Sequence, residues 1–317
     1  MRNVVRALFS VVLSLLCTQA LSSTSVTENA NDLTSAKQLA LSNSVTWRRS
    51  GMRHLYERMD NVREGKQTTG RWSVGQYQSW NIGQASCDHQ FILLGSDLAL
   101  NSQLTVGSTI DFGKGSSYYS QGSSESETMG ASVYGTYGYS DGSYFGALIK
   151  VGMMRLRALL EGQKENENLS GIYLGAEYGH RWKPSQSIIV DPQIRLTYSR
   201  LSSETLRADR SDIRYQPIEN LVLALKLRGE KSFNRDTQAY FVLGYYRDFS
   251  GQVSGKYRTL GKQQRFSDTL FDTWGRAKLG ADYQLDERVS ASLQAEKNFG
   301  QEYRSSTNIS CSANYRF

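Results

Sequence analysis

The last residues, Ile309-Ser310-Cys311-Ser312-Ala313-Asn314-Tyr315-Arg316-Phe317, alternate strictly between apolar and polar side chains. A period of two sends alternate side chains to opposite faces of a strand. One face in lipid and one in a wet lumen explains both the pattern and the closing aromatic. Similar rows recur upstream. Phe145, Ala147, Ile149, Val151 and Met153 form an apolar row with Lys150 on the other face. Leu221, Leu223, Leu225 and Leu227 oppose Lys226 and Arg228. Ile172, Leu174, Ala176 and Tyr178 oppose Gly175, Glu177, Gly179 and Arg181. Ala277, Leu279, Ala281 and Tyr283 oppose Arg276, Lys278 and Asp282, and Val289, Ala291, Leu293 and Ala295 oppose Ser290, Gln294 and Glu296.

From Gly70 onward the pattern predicts twelve strands, joined alternately by tight and long connections. The tight ones are Asn101-Ser102, Ser140-Asp141-Gly142, Lys183-Pro184-Ser185, Phe233-Asn234-Arg235 and Leu285-Asp286-Glu287, all with turn chemistry. The long ones, 113–127, 201–216 and 251–267 among them, are polar and read as mobile loops. Short turns on one side and long loops on the other describe an all-β membrane protein, a twelve-stranded antiparallel transmembrane β-barrel. Its predicted span is 67–317. Aromatics near strand ends (Trp72, Tyr77, Trp80, Tyr118, Tyr119, Tyr139, Tyr144, Trp182, Tyr198, Tyr246 and Tyr283) read as interface girdles.

Before the barrel the period changes. Leu41, Val45, Met52, Leu55, Met59 and Val62 recur at helical spacing, with Arg48, Arg49, Arg53, Glu57, Arg58 and Arg63 among them and Gly65 as a C-cap. Gly51 is a candidate interruption. A helix of about 10–12 Å diameter fits inside a twelve-stranded barrel. Residues 35–66 are therefore assigned to a luminal helix and its linker, with Leu55, Arg58, Met59, Val62 and Arg63 as its principal residues. The Ser/Thr/Asn-rich stretch 23–34 reads as a flexible tail.

The start of the chain has a basic stretch, an apolar run from Ala7 to Cys17, and Thr18-Gln19-Ala20. That is a secretory signal peptide, residues 1–22, cut between Ala20 and Ser23. Leu16 is too bulky for lipoprotein processing at Cys17. No later run is long and apolar enough for a transmembrane helix. Cys87, at the start of the second strand, and Cys311, on the last, are about 9–10 Å apart at ordinary strand spacing, beyond disulfide reach. The formal charge of +7 does not point to nucleic acid, because the basic residues alternate through strands of an exported chain.

With the pattern and its turns in place, the chain resembles the C-terminal translocator β-barrel of autotransporters (type V secretion), closest to the serine-protease autotransporters of enteric bacteria. The resemblance rests on Leu55-Tyr-Glu-Arg58-Met59-Asp-Asn-Val62-Arg63, Gly70-Arg-Trp72, Leu94-Gly95-Ser-Asp97 and Tyr134-Gly-Thr-Tyr137 through Asp141-Gly142. Ala176-Glu177-Tyr178-Gly179-His-Arg181, Asp191-Pro192-Gln193 and Asn314-Tyr315-Arg316-Phe317 complete it. It covers roughly 45–317. It implies a barrel with a helix in its lumen, in the outer membrane of a Gram-negative bacterium. It also implies assembly by periplasmic chaperones and the barrel assembly machinery, which would read the end at Ile309, Ala313, Tyr315 and Phe317. Two departures stand out. Only some twenty to forty residues separate signal and helix, where the family carries a passenger of hundreds. Arg53 and His54 occupy the positions of the paired Asn at which related passengers are cut.

These features point to a translocator that is passenger-less or displays a short N-terminal tail, as a monomeric barrel in outer-membrane lipid with no cofactor. The alternative is a stand-alone pore with a positive lumen. Its inward charges would be Lys150, Arg181, Arg195, Lys226, Arg228, Arg276, Lys278 and Arg316, facing Glu177, Asp191, Asp282 and Glu296. A weaker alternative is a rim enzyme built on His89 with Asp88 and Ser86, in a segment read as an extracellular loop. His54, His89 and His180 are scattered, so no metal spacing appears.

Overall fold

A computed structural model describes residues 39, 40, 42, 43, 46, 47, 52–63, 69–82, 85–119, 122–160, 163–208, 211–259, 262–269, 273–286, 288–300 and 306–316. The signal-peptide and tail readings, Gly51, Gly65 and Phe317 lie outside them, as do the side chains of Arg53 and Arg316.

One helix, α1 (Met52–Arg63), precedes the strands. Leu39, Ala40, Ser42, Asn43, Thr46 and Trp47 before it are also helical. The first strands are β1 (Arg71–Ile82), β2 (Ala85–Ala99), β3 (Leu104–Tyr119), β4 (Gly122–Gly138), β5 (Ser143–Leu160) and β6 (Gln163–His180). Then come β7 (Trp182–Ser185), β8 (Ile188–Leu201), β9 (Glu204–Ala208), β10 (Ser211–Tyr215), β11 (Ile218–Ser232) and β12 (Thr237–Asp248). The last are β13 (Gln252–Thr259), β14 (Lys262–Thr269), β15 (Thr273–Gln284), β16 (Val289–Phe299) and β17 (Ser306–Arg316).

Twelve of these strands close a barrel of antiparallel neighbours. The order is β1-β2-β3-β4-β5-β6-β8-β11-β12-β15-β16-β17, and β17 returns to β1 with Trp72 opposite Arg316. Closure leaves no barrel edge with unpaired backbone, which lipid would penalise. Among the described residues no helix is long and apolar enough to cross a membrane. The crossing falls to strands.

Polarity sets the faces. On β5, Phe145, Ile149, Val151 and Met153 point outward and are exposed, whereas Leu148 and Lys150 are buried inside. The outward apolar band from Phe145 to Met153 runs about 27 Å along the strand at ordinary rise. It ends at Arg155, which faces Glu127 at 3.7 Å. Cys87 is buried, Cys311 is exposed, and both are free thiols.

Four tight turns share one device, a side-chain oxygen accepting backbone N–H groups ahead of it. Asn101 accepts from Gln103 and Leu104, Asn234 from Asp236 and Thr237, and Asp286 from Arg288 and Val289. Asp141 accepts the Ser143 N–H at 2.8 Å, and that bond lowers its carboxyl pKa from the ordinary value. The remaining turn differs from the sequence reading. Lys183-Pro184-Ser185 lies within β7, paired irregularly with β8, and the chain reverses at Gln186-Ser187. Proline is tolerated there because the pairing is already broken.

The long connections are also different from expectation. Residues 113–119 and 122–127 extend the β3–β4 hairpin, and β9–β10 and β13–β14 are two further hairpins. Pairing of β10 with β13 joins those two into a four-stranded sheet above the barrel. Backbone pairing needs no apolar alternation, so polar segments rich in Ser, Gly and Glu extend the ladder unseen by hydropathy.

Nor is the bore polar throughout. Leu39, Ala40 and Trp47 belong to an apolar cluster with Met154, Leu156, Leu169, Tyr215 and Phe266, toward the long hairpins. Lower down, Met52, Leu55, Tyr56 and Met59 of α1 pack with Trp72, Val74, Phe91, Leu93, Tyr134 and Leu148 of the wall. Several presumed girdle aromatics consequently face inward. Trp72, Trp80, Tyr119, Tyr144 and Tyr246 are at most 8 % exposed, whereas Tyr118, Tyr139, Trp182 and Tyr283 are 45 % or more.

Candidate functional site

The site is the bore and the helix standing in it. On α1, Leu55 and Met59 are buried, and Arg58 is held by the wall. Its Nε donates to Asp97 Oδ2 at 2.7 Å and its Nη2 to Asp97 Oδ1 at 3.0 Å. Asp97 also accepts the Tyr134 hydroxyl at 2.9 Å and the Gly70 N–H at 2.9 Å. One carboxylate on β2 therefore ties the helix, the barrel wall and the junction into β1. At Gly70 the backbone takes a positive φ of 146°, a conformation that favours glycine.

The rest of the helix is keyed in the same way. His54 Nε2 lies 2.6 Å from Gln76 Oε1, and Glu57 approaches Lys278 Nζ at 3.5 Å. Arg63 pairs with Asp60, donates to Thr136 Oγ1 at 3.2 Å and lies 3.3 Å above the Tyr144 ring centre. Val62 is half-buried. Tyr56 and Trp47 occupy the space that a Cβ on Gly175 and Gly171 would need, so these two glycines are seats for aromatic rings.

The luminal charges neutralise one another. Lys150 donates to Asp111 Oδ2 at 2.7 Å, with both side chains buried. Glu177 takes Arg195 and, at 2.8 Å, Lys226, and Arg195 stacks 3.4 Å from the Tyr56 ring centre. Lys226 also reaches Gln193, which donates to Asp191 at 2.8 Å, and Asp191 accepts the Tyr144 hydroxyl at 3.0 Å. A continuous polar network thus runs from Tyr56 to Arg63 through the wall. Arg228 pairs with Glu230, and Arg276 with Glu296 at 3.4 Å. Desolvation offsets much of what such pairs gain, so they add little net stability.

Arg181 sits beyond the end of β6, its N–H donating to Gly142 O at 2.9 Å. Asp282 lines a cavity of about 450 Å³ between the Glu57 side of α1 and β11, β12, β15 and β16. Asn234, Arg235 and Arg288 of the tight turns border it, so it opens at that end. Ile309 is exposed on β17, Ala313 and Tyr315 are half-buried, and Tyr315 lies opposite Ser73 at barrel closure.

The sequence reading missed Asp97, Asp111 and Glu230 as luminal partners. Asp111 lies between the outward Ile110 and Phe112, a parity hidden by treating the following stretch as loop. The rim-enzyme reading is corrected. His89 lies within β2, buried in the bore against Phe91 and Trp80. Asp88 points to the other face and accepts the Tyr77 hydroxyl at 2.7 Å. Neighbours on a strand face opposite ways, so the two cannot form a dyad. His180 Nδ1 does meet Ser143 Oγ at 2.9 Å, but Asp141 bonds the serine at 3.2 Å, and among the described residues no hydrogen bond joins a carboxylate to the imidazole. Among the described residues no group of three His, Cys, Asp or Glu could hold a metal.

The profile of the autotransporter beta-domain matches residues 66–296. The chain belongs to that family. It is 23 % identical over 289 residues to the serine protease EatA of Escherichia coli O78:H11 (strain H10407 / ETEC). That match covers 83 % of this chain and 20 % of the relative, so the chain spans about a fifth of the length of the curated protein it resembles. Its fold is similar to the translocator domain of autotransporter NalP from Neisseria meningitidis, with a TM-score of 0.66, 14 % identity, and 91 % and 100 % of the two chains covered. It is also similar to the transport unit of AIDA-I from Escherichia coli, with a TM-score of 0.61, 14 % identity, and 92 % and 100 % covered. As an autotransporter β-domain, the chain is an outer-membrane translocator barrel of type V secretion in a Gram-negative bacterium.

Proposed function

We propose that this translocator keeps its helix after export and displays the segment before it at the cell surface, contributing a seal and an anchor but no catalysis. The supporting observation is the direction of the chain through the bore. Leu39 and Trp47 cluster with Met154 and Leu169 near the long hairpins, whereas Arg63 sits against Tyr144 beside a tight turn. Tight turns belong to the periplasmic side of such barrels, so Leu39 and Trp47 stand toward the outer side of α1. His54, bound to Gln76, has no carboxamide to attack its own backbone, which argues against release by asparagine cyclisation.

On this reading residues 1–22 direct export and 23–34 form the displayed tail. An epitope after Ser23 should be removed by protease added to intact cells, and one that stays shielded would refute surface display. In planar bilayers the intact barrel should pass little current, and deletion of 23–66 should raise it several-fold. Sustained current from the intact barrel that rises further on the deletion would favour the stand-alone pore, and no conductance after the deletion would remove it. The paired luminal charges argue against an anion-selective ring.

We also propose that the barrel is monomeric and reaches the membrane through periplasmic chaperones and the barrel assembly machinery, which reads the β17 end. Phe317→Ser with Tyr315→Ser should lower the amount of heat-modifiable, folded barrel in the outer membrane several-fold. Unchanged assembly of that variant would count against recognition of this end.

A further inference from the structure

Three cations stand side by side on the sheet that projects above the barrel. Arg214 of β10 is directly opposite Lys256 of β13, and Lys256 is directly opposite Arg265 of β14. All three are exposed, whereas Ile213, Val253 and Phe266 fill the other face. At ordinary strand spacing the row spans about 10 Å. Like charges directly across a strand pair repel, so the arrangement opposes folding unless something else compensates it. Among the described residues no carboxylate pairs with any of the three. Asp212 stands two register positions away on the same face, opposite Arg258.

At two other places on the rim cations are matched. Arg155 lies opposite Glu127 and Arg157 opposite Glu125, each with an ion-pair contact at 3.7 Å. Arg200 and Glu219 pair at 3.2 Å where the outward leucines of β11 give way to charge. Glu219 is opposite Gln252, and Lys256 follows four residues later, about 13 Å along β13. The unmatched row therefore stands on the outer surface that continues the lipid-facing wall, about 13 Å beyond the Arg200–Glu219 pair.

We infer that this row binds the phosphate groups of the glycolipid that forms the outer leaflet. Two guanidinium forks can each grip a phosphate through paired N–H donors, and the lysine between them adds a compact charge. The inference rests on the outer-membrane placement but not on translocation, so export assays and binding assays fail separately.

The test uses purified full-length protein in detergent with lipopolysaccharide as the probe. Arg214→Ser/Lys256→Ser/Arg265→Ser should weaken lipopolysaccharide binding about tenfold or more, while Arg155→Ser/Arg157→Ser should change it less than about twofold. Dephosphorylated lipopolysaccharide should bind the native protein as weakly as the intact lipid binds the triple variant. Heat-modifiable migration checks folding, and the single Lys256→Glu serves if the triple variant fails to fold. Equal binding by native and substituted protein would overturn the inference. So would indifference to dephosphorylation, or preference for a sulfated polysaccharide or DNA over the glycolipid.

Discussion

Asp97→Ala is expected to unseat the luminal helix and to lower unfolding stability in detergent by about 3–5 kcal/mol, the usual cost of stripping a buried cation of its counter-ion. The carboxylate accepts from Arg58 twice, from Tyr134 and from the Gly70 N–H. Removing it leaves donors from three parts of the chain without that acceptor in a site where water is largely excluded. Arg58 also lies 5.3 Å from the Trp72 ring centre, so indole fluorescence should report the loss. Asp97→Asn keeps an oxygen for Gly70 but no charge for Arg58, and its effect should be smaller. Trypsin should then cut at Arg58 or Arg63 in the folded barrel. A denaturation midpoint unmoved by Asp97→Ala would show that the helix is held by its apolar face alone.

The way Arg58 and Asp97 meet also explains what could be read in the chain and what could not. Strand parity was legible wherever lipid met one face and polar side chains the other, as along Phe145 to Met153 or Leu221 to Leu227. It failed where the helix covers the wall. Trp72, Val74, Phe91 and Leu93 are apolar yet face the bore, because their neighbours there are Leu55, Tyr56 and Met59 rather than water. Judged by position near a strand end, Trp72 and Tyr144 look like interface anchors; judged by contact, they are walls of the helix seat. Helical spacing and the family resemblance both placed a helix in the lumen, but neither supplied its partners. Asp97 appeared in a matching motif without a role, since nothing in one strand reveals which distant arginine it will meet.

The extracellular hairpins were hidden for another reason. A strand outside the membrane needs no greasy face, so β9, β10, β13 and β14 carry the signals of loops while their backbones pair. Periodicity therefore locates the bilayer better than it locates the sheet. The row of Arg214, Lys256 and Arg265 became visible only through that pairing.

Lys150→Met should be as damaging as the loss of Asp97, and its partner substitution should repair it. Lys150 is fully buried and its Nζ donates to Asp111, itself 1 % exposed, at 2.7 Å. The missing side chain of Gly130 leaves room for the pair, because a Cβ there would strike both Lys150 and Asp111. The single variant leaves the aspartate charged and buried without its cation, at a cost of about 3–5 kcal/mol. Lys150→Met/Asp111→Leu removes both charges and fills the space with apolar atoms, an exchange that is often neutral in buried pairs. The double variant should recover most of the loss, short of the contribution from Lys150 at 5.1 Å from the Trp47 ring centre. That remainder is about 0.5–2 kcal/mol. Denaturation midpoints of the native protein, both single variants and the double variant give the coupling directly. If the two single effects simply add, the charges do not interact, and the bore is held together by its apolar contacts.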